Sequence, residues 1–186
     1  MIEAAIEFVR KETARHLGLA DDQVIINSAR KLVDENNGGG VYISLVNVQE
    51  ESALRNLPHS ERRGGVTHYI EPPVYLNLFL LFAFNAESYS KSLIQLSELV
   101  ELFQRHRWFG SETQAAVGAT VFPAGLDRII FEMVNMNFEE LNNLWGVLGG
   151  SYFPSVVYRM RLIKVQANDS AAAPEITSIQ LDTVIR

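Results

Sequence analysis

The stretch EPPVYLNLFLLFAFNAESYS (Glu71–Ser90) contains a run, Val74–Phe84, that is apolar at every position except Asn77. A membrane-crossing helix needs about 20 predominantly apolar residues. This run is shorter, with Pro72 and Pro73 closing one side and Asn85, Glu87 and Ser88 the other. At strand period it divides into Val74, Leu76, Leu78, Leu80, Phe82 and Phe84 on one face and Tyr75, Asn77, Phe79, Leu81 and Ala83 on the other. Both faces are mostly apolar, as in a strand buried on both sides. A helix would also accommodate the run, but its aromatic content, its length and the preceding Pro-Pro favour the strand. The run is therefore expected to be the central strand of a sheet covered on both faces. Asn77 lies on the thinner face with Tyr75, which predicts a hydrogen-bond partner there, a subunit contact being one source.

Outward from this strand, helical and strand patterns interleave. Ile2, Ala5, Ile6, Val9, Thr13 and Leu17 recur at helical spacing, so residues 2–17 read as an amphipathic helix stopped at Gly18. QVIIN (Gln23–Asn27) reads as a short strand. The glycines of NNGGGV (Asn36–Val41) mark a turn before a confident strand, VYISLVNVQEE (Val41–Glu51). Ser52–Pro73 is polar, with Pro58, Arg62 and Arg63, and reads as a long exposed loop facing a partner. Leu93, Leu96, Val100 and Phe103, widened by Ile94, Leu99 and Leu102, place a helix over residues 87–106. Residues 110–126 read as irregular, and DRIIFEMV (Asp127–Val134) as a strand. In NFEELNNLWGVLGG, Asn137 and Glu140 have capping-box spacing. Phe138, Leu141, Leu144, Trp145 and Leu148 form the apolar face of that helix, which Gly149-Gly150 ends. PSVVYRMRLIKVQ (Pro154–Gln166) is a strand. The face carrying Arg159 and Arg161 is expected partly in water or against another chain.

The 186 residues suit one domain with a full core, expected over residues 1–167. A tail, 168–186, follows, in which Ile176, Ile179, Leu181, Val184 and Ile185 restore apolar character. It either donates a strand to a neighbour's sheet edge or folds back on its own domain. The net charge of -6 argues against a nucleic-acid partner. With no cysteine, disulfides, thiolate metal sites and a cysteine nucleophile are excluded. Glu3 and Glu7 interrupt the N-terminus, which lacks the apolar core of a secretory signal, so the protein is expected to fold in the cytoplasm.

Catalytic chemistry finds little support. His16, His59, His68 and His106 are scattered without metal-ligand spacing. The glycines of NNGGGV lead into a strand with no lysine after them, unlike a phosphate-binding loop, and VGATVFPAG lacks the G-x-S-x-G of a nucleophile elbow. The adjacent pairs Asp21-Asp22, Glu50-Glu51 and Glu139-Glu140 diverge on a strand or a helix, so none makes a carboxylate dyad. Trp108-Phe109 beside Arg105 and Arg107 reads as a helix end packing into the core rather than a base-stacking site.

The ordered combination of VYISLVNVQEESALRN, PPVYLNLFLLFAFNAESYSKSLIQLSELVELFQRH and ELNNLWGVLGGSYFPSVVYRMRLIKVQ resembles the cap, or tube-terminator, proteins of contractile injection systems, specifically their N-terminal domain. The matching positions are Val48, Glu50, Arg55, Asn56, Pro73, Leu76, Leu78, Leu80, Leu81, Leu141, Leu144, Trp145, Pro154, Ser155, Tyr158 and Arg161. Residues 110–126 match no part of the pattern. The resemblance implies a phage tail-terminator-like structural protein that forms a six-fold ring, stops tube polymerisation and engages the last sheath layer. It implies no catalytic residue, cofactor or metal, and a place in a particle that is released from the cell. The partners would be other copies of the chain and the tube and sheath proteins, with no nucleic acid and no membrane span.

The expected fold is α/β or α+β, a single mixed β-sheet with helices packed on it. Candidate partner contacts are Arg55, Asn56, Arg62, Arg63, Arg159, Arg161, Ile176, Ile179 and Leu181. The alternatives are a small hydrolase or transferase whose site is assembled from scattered residues, and a generic adaptor domain.

Overall fold

A computed structural model describes residues 1–34, 40–54, 60–63, 66–70, 72–112, 120–165 and 170–172. The main sheet has six strands. These are β1 (Val24–Ile26), β2 (Gly40–Glu50), β5 (Val74–Asn85), β6 (Trp108–Gly110), β7 (Arg128–Val134) and β8 (Ser155–Val165), in the order β1-β2-β5-β8-β7-β6. β1 and β2 are parallel; every other pairing is antiparallel. The expected mixed sheet is present, and β5 lies inside it, between β2 and β8.

The two faces of β5 are covered by different helices. On the first, Leu78, Leu80, Phe82 and Phe84 pack with α1 (Ile2–Leu17) and α3 (Tyr89–Arg105), which contribute Ile6, Phe8, Val9, Leu99, Leu102 and Phe103. Phe103 stacks on Phe131 with ring centroids 4.3 Å apart, and Phe82 and Tyr158 close the same aromatic cluster. On the second face, Leu81 and Ala83 meet Tyr42, Val157, Leu32 of the short α2 (Arg30–Asp34), and Trp145 of α4 (Phe138–Leu148). Strand alternation thus feeds two cores from one strand, as the sequence pattern predicts.

Local chemistry sets the boundaries. Gly18 ends α1 in the left-handed conformation, φ 62°, which a side chain adopts at a cost. Gly40 starts β2 so close to β1 that a Cβ there would meet the Gln23 carbonyl oxygen at 2.5 Å. In α4 both halves of the capping box form: the Glu140 N–H donates to Asn137 Oδ1, and the Asn137 N–H to Glu140 Oε2, each at 2.9 Å.

Several expectations are corrected. Ser52–Pro73 is not wholly a loop: β3 (Ser60–Arg63) and β4 (Val66–Ile70) pair as a hairpin. β9 (Ser170–Ala172) joins β4 to complete a second, three-stranded sheet, so the single expected sheet gains a small companion. Trp108-Phe109 belongs to β6 rather than a helix end, with Phe109 buried and Trp108 partly in water. Phe138, expected on the apolar face of α4, is 92% exposed. In the first turns of α3, Leu93 and Ile94 face outward while Ser92 and Gln95 are buried. The rotation has a local cause: Ser92 Oγ accepts from the Ala86 N–H at 3.0 Å, which ties the incoming chain to the helix. The turn residues 36–39 and, within 110–126, residues 113–119 lie outside the described residues.

Replacing Phe82, fully buried between α3 and the sheet, with alanine is expected to lower unfolding free energy by about 3–5 kcal/mol. Phe138→Ala, at an exposed site, should stay within about 0.5 kcal/mol of the parent. Denaturant titration of both variants measures the contrast. Equal effects would contradict the two-face assignment.

Candidate partner-contact surface

Among the described residues the second face of the sheet is only half covered. α4 packs over Leu81, Ala83 and Val157. Beyond Phe79, toward the start of β5, the face presents Asn77 from β5, Arg159 and Arg161 from β8, and Glu132 from β7. Register places Phe79 opposite Arg159 and Glu132 opposite Arg159 on its other side. Two interruptions shape this half. The ladder skips at Val46 on β2, between the Leu45–Leu80 and Asn47–Phe79 pairs. It skips again across Arg161 and Leu162 on β8, between the Met160–Leu78 and Ile163–Leu76 pairs. A bulge adds a residue and increases local twist. Here the second one aims Arg161 across β5 toward the end of β2.

The polar side chains on this half-face form one network. Asn77 is buried, and its Nδ2 donates to Glu51 Oε2 at 3.2 Å. Arg161 donates to the same oxygen through Nη2 at 2.8 Å and to Glu132 Oε1 through Nη1 at 2.7 Å. Arg159 donates to Glu132 Oε2, through Nε at 3.0 Å and also through Nη2. Glu51 is held in place by its own backbone N–H, which donates to the Tyr75 carbonyl at 2.7 Å. At the edge of the sheet the Arg128 guanidinium sits 4.6 Å from the Trp108 ring centroid, a cation–π contact.

The electrostatics follow from these contacts. Hydrogen bonds from Asn77 and then Arg161 hold the Glu51 carboxyl below the usual range. Burial alone would raise Glu132, but the hydrogen bonds from Arg161 and Arg159 outweigh it and its pKa is also lowered. Arg161 is pushed up by its bonds to Glu132 and Glu51. Both carboxylates are therefore ionised and occupied at neutral pH, and neither is poised as a proton donor. On the opposite face, burial pushes the Tyr158 phenol up to about 12, so it stays protonated. Among the described residues no group of three or more His, Asp or Glu is arranged to hold a metal ion, and no helix is long and apolar enough to cross a membrane.

Of the candidate contacts read from sequence, the structure brings together Arg159 and Arg161, both already ion-paired within the chain. Arg62 and Arg63 lie on β3, opposite Thr67 and Val66 in the hairpin. Arg55, Asn56, Ile176, Ile179 and Leu181 fall outside the described residues, as does His59. The residues that sequence reasoning missed are Glu51 and Glu132. A signal was present for Glu132, which interrupts the apolar strand RIIFEMV, and indirectly for Glu51, whose partner Asn77 interrupts VYLNLFLLFAF.

The depressed carboxylates make a pH prediction. A carboxylate whose folded pKa is lowered contributes stability that is present above its ordinary value of 4.5 and is lost as pH falls through the folded pKa. The unfolding midpoint should therefore drop on acidification below about pH 4.5. Glu132→Gln should be less stable than the parent at neutral pH and show a shallower acid drop. Arg161→Ala should lower the midpoint more than Arg159→Ala, since Arg161 bridges two carboxylates. Thermal melts across pH 3–7 measure both; a parallel acid drop in Glu132→Gln would exclude the network as its source.

Comparison with known proteins follows the same geometry. No curated protein matches the chain. Among solved structures, it resembles the sheath/tube terminator of PVC, an extracellular contractile injection system, in the extended state. The TM-score is 0.67 at 15% identity, over 100% of this chain and 64% of that one. It also resembles the tube-terminating cap of the anti-feeding prophage, with TM-score 0.54 at 15% identity, over 77% of this chain and 49% of that one. The chain thus spans about two thirds and one half of the length of these relatives. At such identity the likeness establishes the fold, and it is the tube-terminator fold. The family model for the Pvc16 N-terminal domain matches residues 4–178, nearly the whole chain, and the protein therefore belongs to the Pvc16 N-terminal domain family.

Proposed function

We propose that this chain is a structural component of a contractile injection system, a ring-forming cap that terminates the inner tube and engages the last sheath layer. The observation that carries this reading is the fold likeness, across the full chain, to a sheath/tube terminator, joined to the family match over residues 4–178. The half-face built on Arg159, Arg161, Glu132 and Glu51 is consistent with it: its charged groups are locked to one another and offer a fixed, patterned surface rather than a reactive centre.

The mechanism is passive and non-enzymatic. One side of the ring complements tube subunits, and the other does not template a further layer. Six copies meet head to tail through unlike surfaces, which closes a ring when the rotation between neighbours is sixty degrees. The partners are other copies of the chain and the tube and sheath proteins, with no nucleic acid. The chain assembles in the bacterial cytoplasm and leaves the cell as part of the particle. Arg55, Asn56, Arg62 and Arg63 are assigned to the partner-facing side, as are Ile176, Ile179 and Leu181 of the C-terminal segment.

Native mass spectrometry of the purified chain is expected to show a hexamer, and the chain should co-purify with its tube protein. A stable monomer that ignores tube subunits would overturn the proposal. Truncation after Ala172 keeps β9 paired with β4 and should leave a folded domain with weaker assembly. Loss of folding would instead place the last residues in the chain's own core.

A further inference from the structure

We infer that the outer edge of β2, over Leu45–Gln49, accepts an extended strand from the C-terminal segment of a second copy. The inference rests on the ring reading above and names a contact that would close it.

β1 covers only part of β2. Its pairs are Val24–Val41, Ile25–Tyr42 and Ile26–Ile43, extended by the Asn27 N–H, which donates to the Ile43 carbonyl at 3.1 Å. Among the described residues no strand pairs with the outer side of β2 beyond that point, although β2 continues along β5 to the Glu50–Leu76 pair. A bare edge presents unpaired N–H and C=O groups and is a template for another chain. Natural sheets guard such edges with Lys, Pro or very short strands. Leu45, Val46, Asn47, Val48 and Gln49 include neither Lys nor Pro. Two features guard it among the described residues: the bulge at Val46 and the Val48 N–H, which donates to Asn47 Oδ1 at 2.8 Å, so an incoming strand would displace that side chain.

The edge also carries an apolar surface. Leu45 and Val48 are 41% and 42% exposed. Their cross-strand partners Leu80 and Leu78 place them on the first face of the sheet. Val74 and Val165, paired with each other on that face, are exposed as well. A docking strand would therefore need one apolar row and one polar row. The C-terminal segment has that pattern over 178–182, five residues that match the length of the edge: Ile179 and Leu181 alternate with Ser178, Gln180 and Asp182. It is rooted by β9, which pairs with β4 through Ala172–His68. Residues 173–186 extend to roughly 45–50 Å, whereas five residues of strand occupy about 16 Å. The arm thus has length to reach an adjacent subunit and still pair along the edge. Each copy would be donor on one side and acceptor on the other, the unlike pairing that a closed ring requires.

The chain has no cysteine, so disulfide trapping in the full chain is unambiguous. Val48→Cys is combined in turn with Ile179→Cys, Leu181→Cys and Thr183→Cys, the protein is oxidised, and products are separated without reductant. A ladder of covalent multimers from at least one pair is the expected result. A single internally bridged monomer would overturn the inference by placing the arm on its own edge. No bridge in any pair, with hexamers intact by native mass spectrometry, would overturn it while leaving the ring reading standing. Uncrosslinked chain that is monomeric throughout would remove both. Independently, Val48→Lys, at an exposed position, should leave the circular dichroism unchanged and raise the concentration needed for assembly by about tenfold or more. Unchanged assembly would count against the edge.

Discussion

Burial of β5 from both sides is the constraint on which the rest of the molecule depends. From Leu80 to Phe84 every side chain is withdrawn from water, alternately into the core under α1 and α3 and into the one under α4. A strand in that position leaves little freedom to its neighbours. β2 and β8 must pair on its two flanks, their alternation must match its own, and helices must cover both faces. A slip of one residue would send Phe82 and Phe84 to the side built for Ala83. The two ladder irregularities lie where this double coverage ends, so the tightly packed half of the sheet keeps regular register. Twist and polar chemistry are confined to the other half.

That division explains why one sheet face holds two kinds of surface. Where α4 lies, apolar residues meet and Leu81, Ala83 and Trp145 are buried. Past Phe79 no hydrophobic partner takes over among the described residues; the buried Asn77 Nδ2 and the half-buried Glu51, Glu132 and Arg161 bond one another, while the buried Asn77 Oδ1 has no partner there. Charges withdrawn from water persist only if paired and hydrogen-bonded. The network is the local solution to leaving half a sheet face without a helix.

Much of this architecture was legible in the chain. The two-faced apolar run identified β5 and its central place, helical spacing identified α1 and α3, and the Asn137–Glu140 spacing identified the start of α4. What sequence did not reveal was long-range or rotational. β3, the first strand of the hairpin, is SERR, polar throughout, and carries no burial signal. Ser92 turns inward because it bonds the preceding chain at Ala86, a contact that displaces Leu93 and Ile94 from the face their spacing suggests. Phe138 is the first residue of α4 and stays in water. For the polar half-face, the odd residues Asn77 and Glu132 were visible, but their common partner Arg161 became apparent only once register had placed β5, β7 and β8 side by side.

The run of ion pairs Glu51–Arg161–Glu132–Arg159 carries a kinetic implication. Two carboxylates and two guanidiniums in mutual contact cancel at short range and project little field beyond a Debye length. A partner approaching this patch is neither drawn in nor repelled from a distance. Encounter there would proceed near the unsteered rate, on the order of 10⁵–10⁶ M⁻¹s⁻¹, and would change little with ionic strength. Recognition at such a surface is decided after contact, by shape and hydrogen-bond fit.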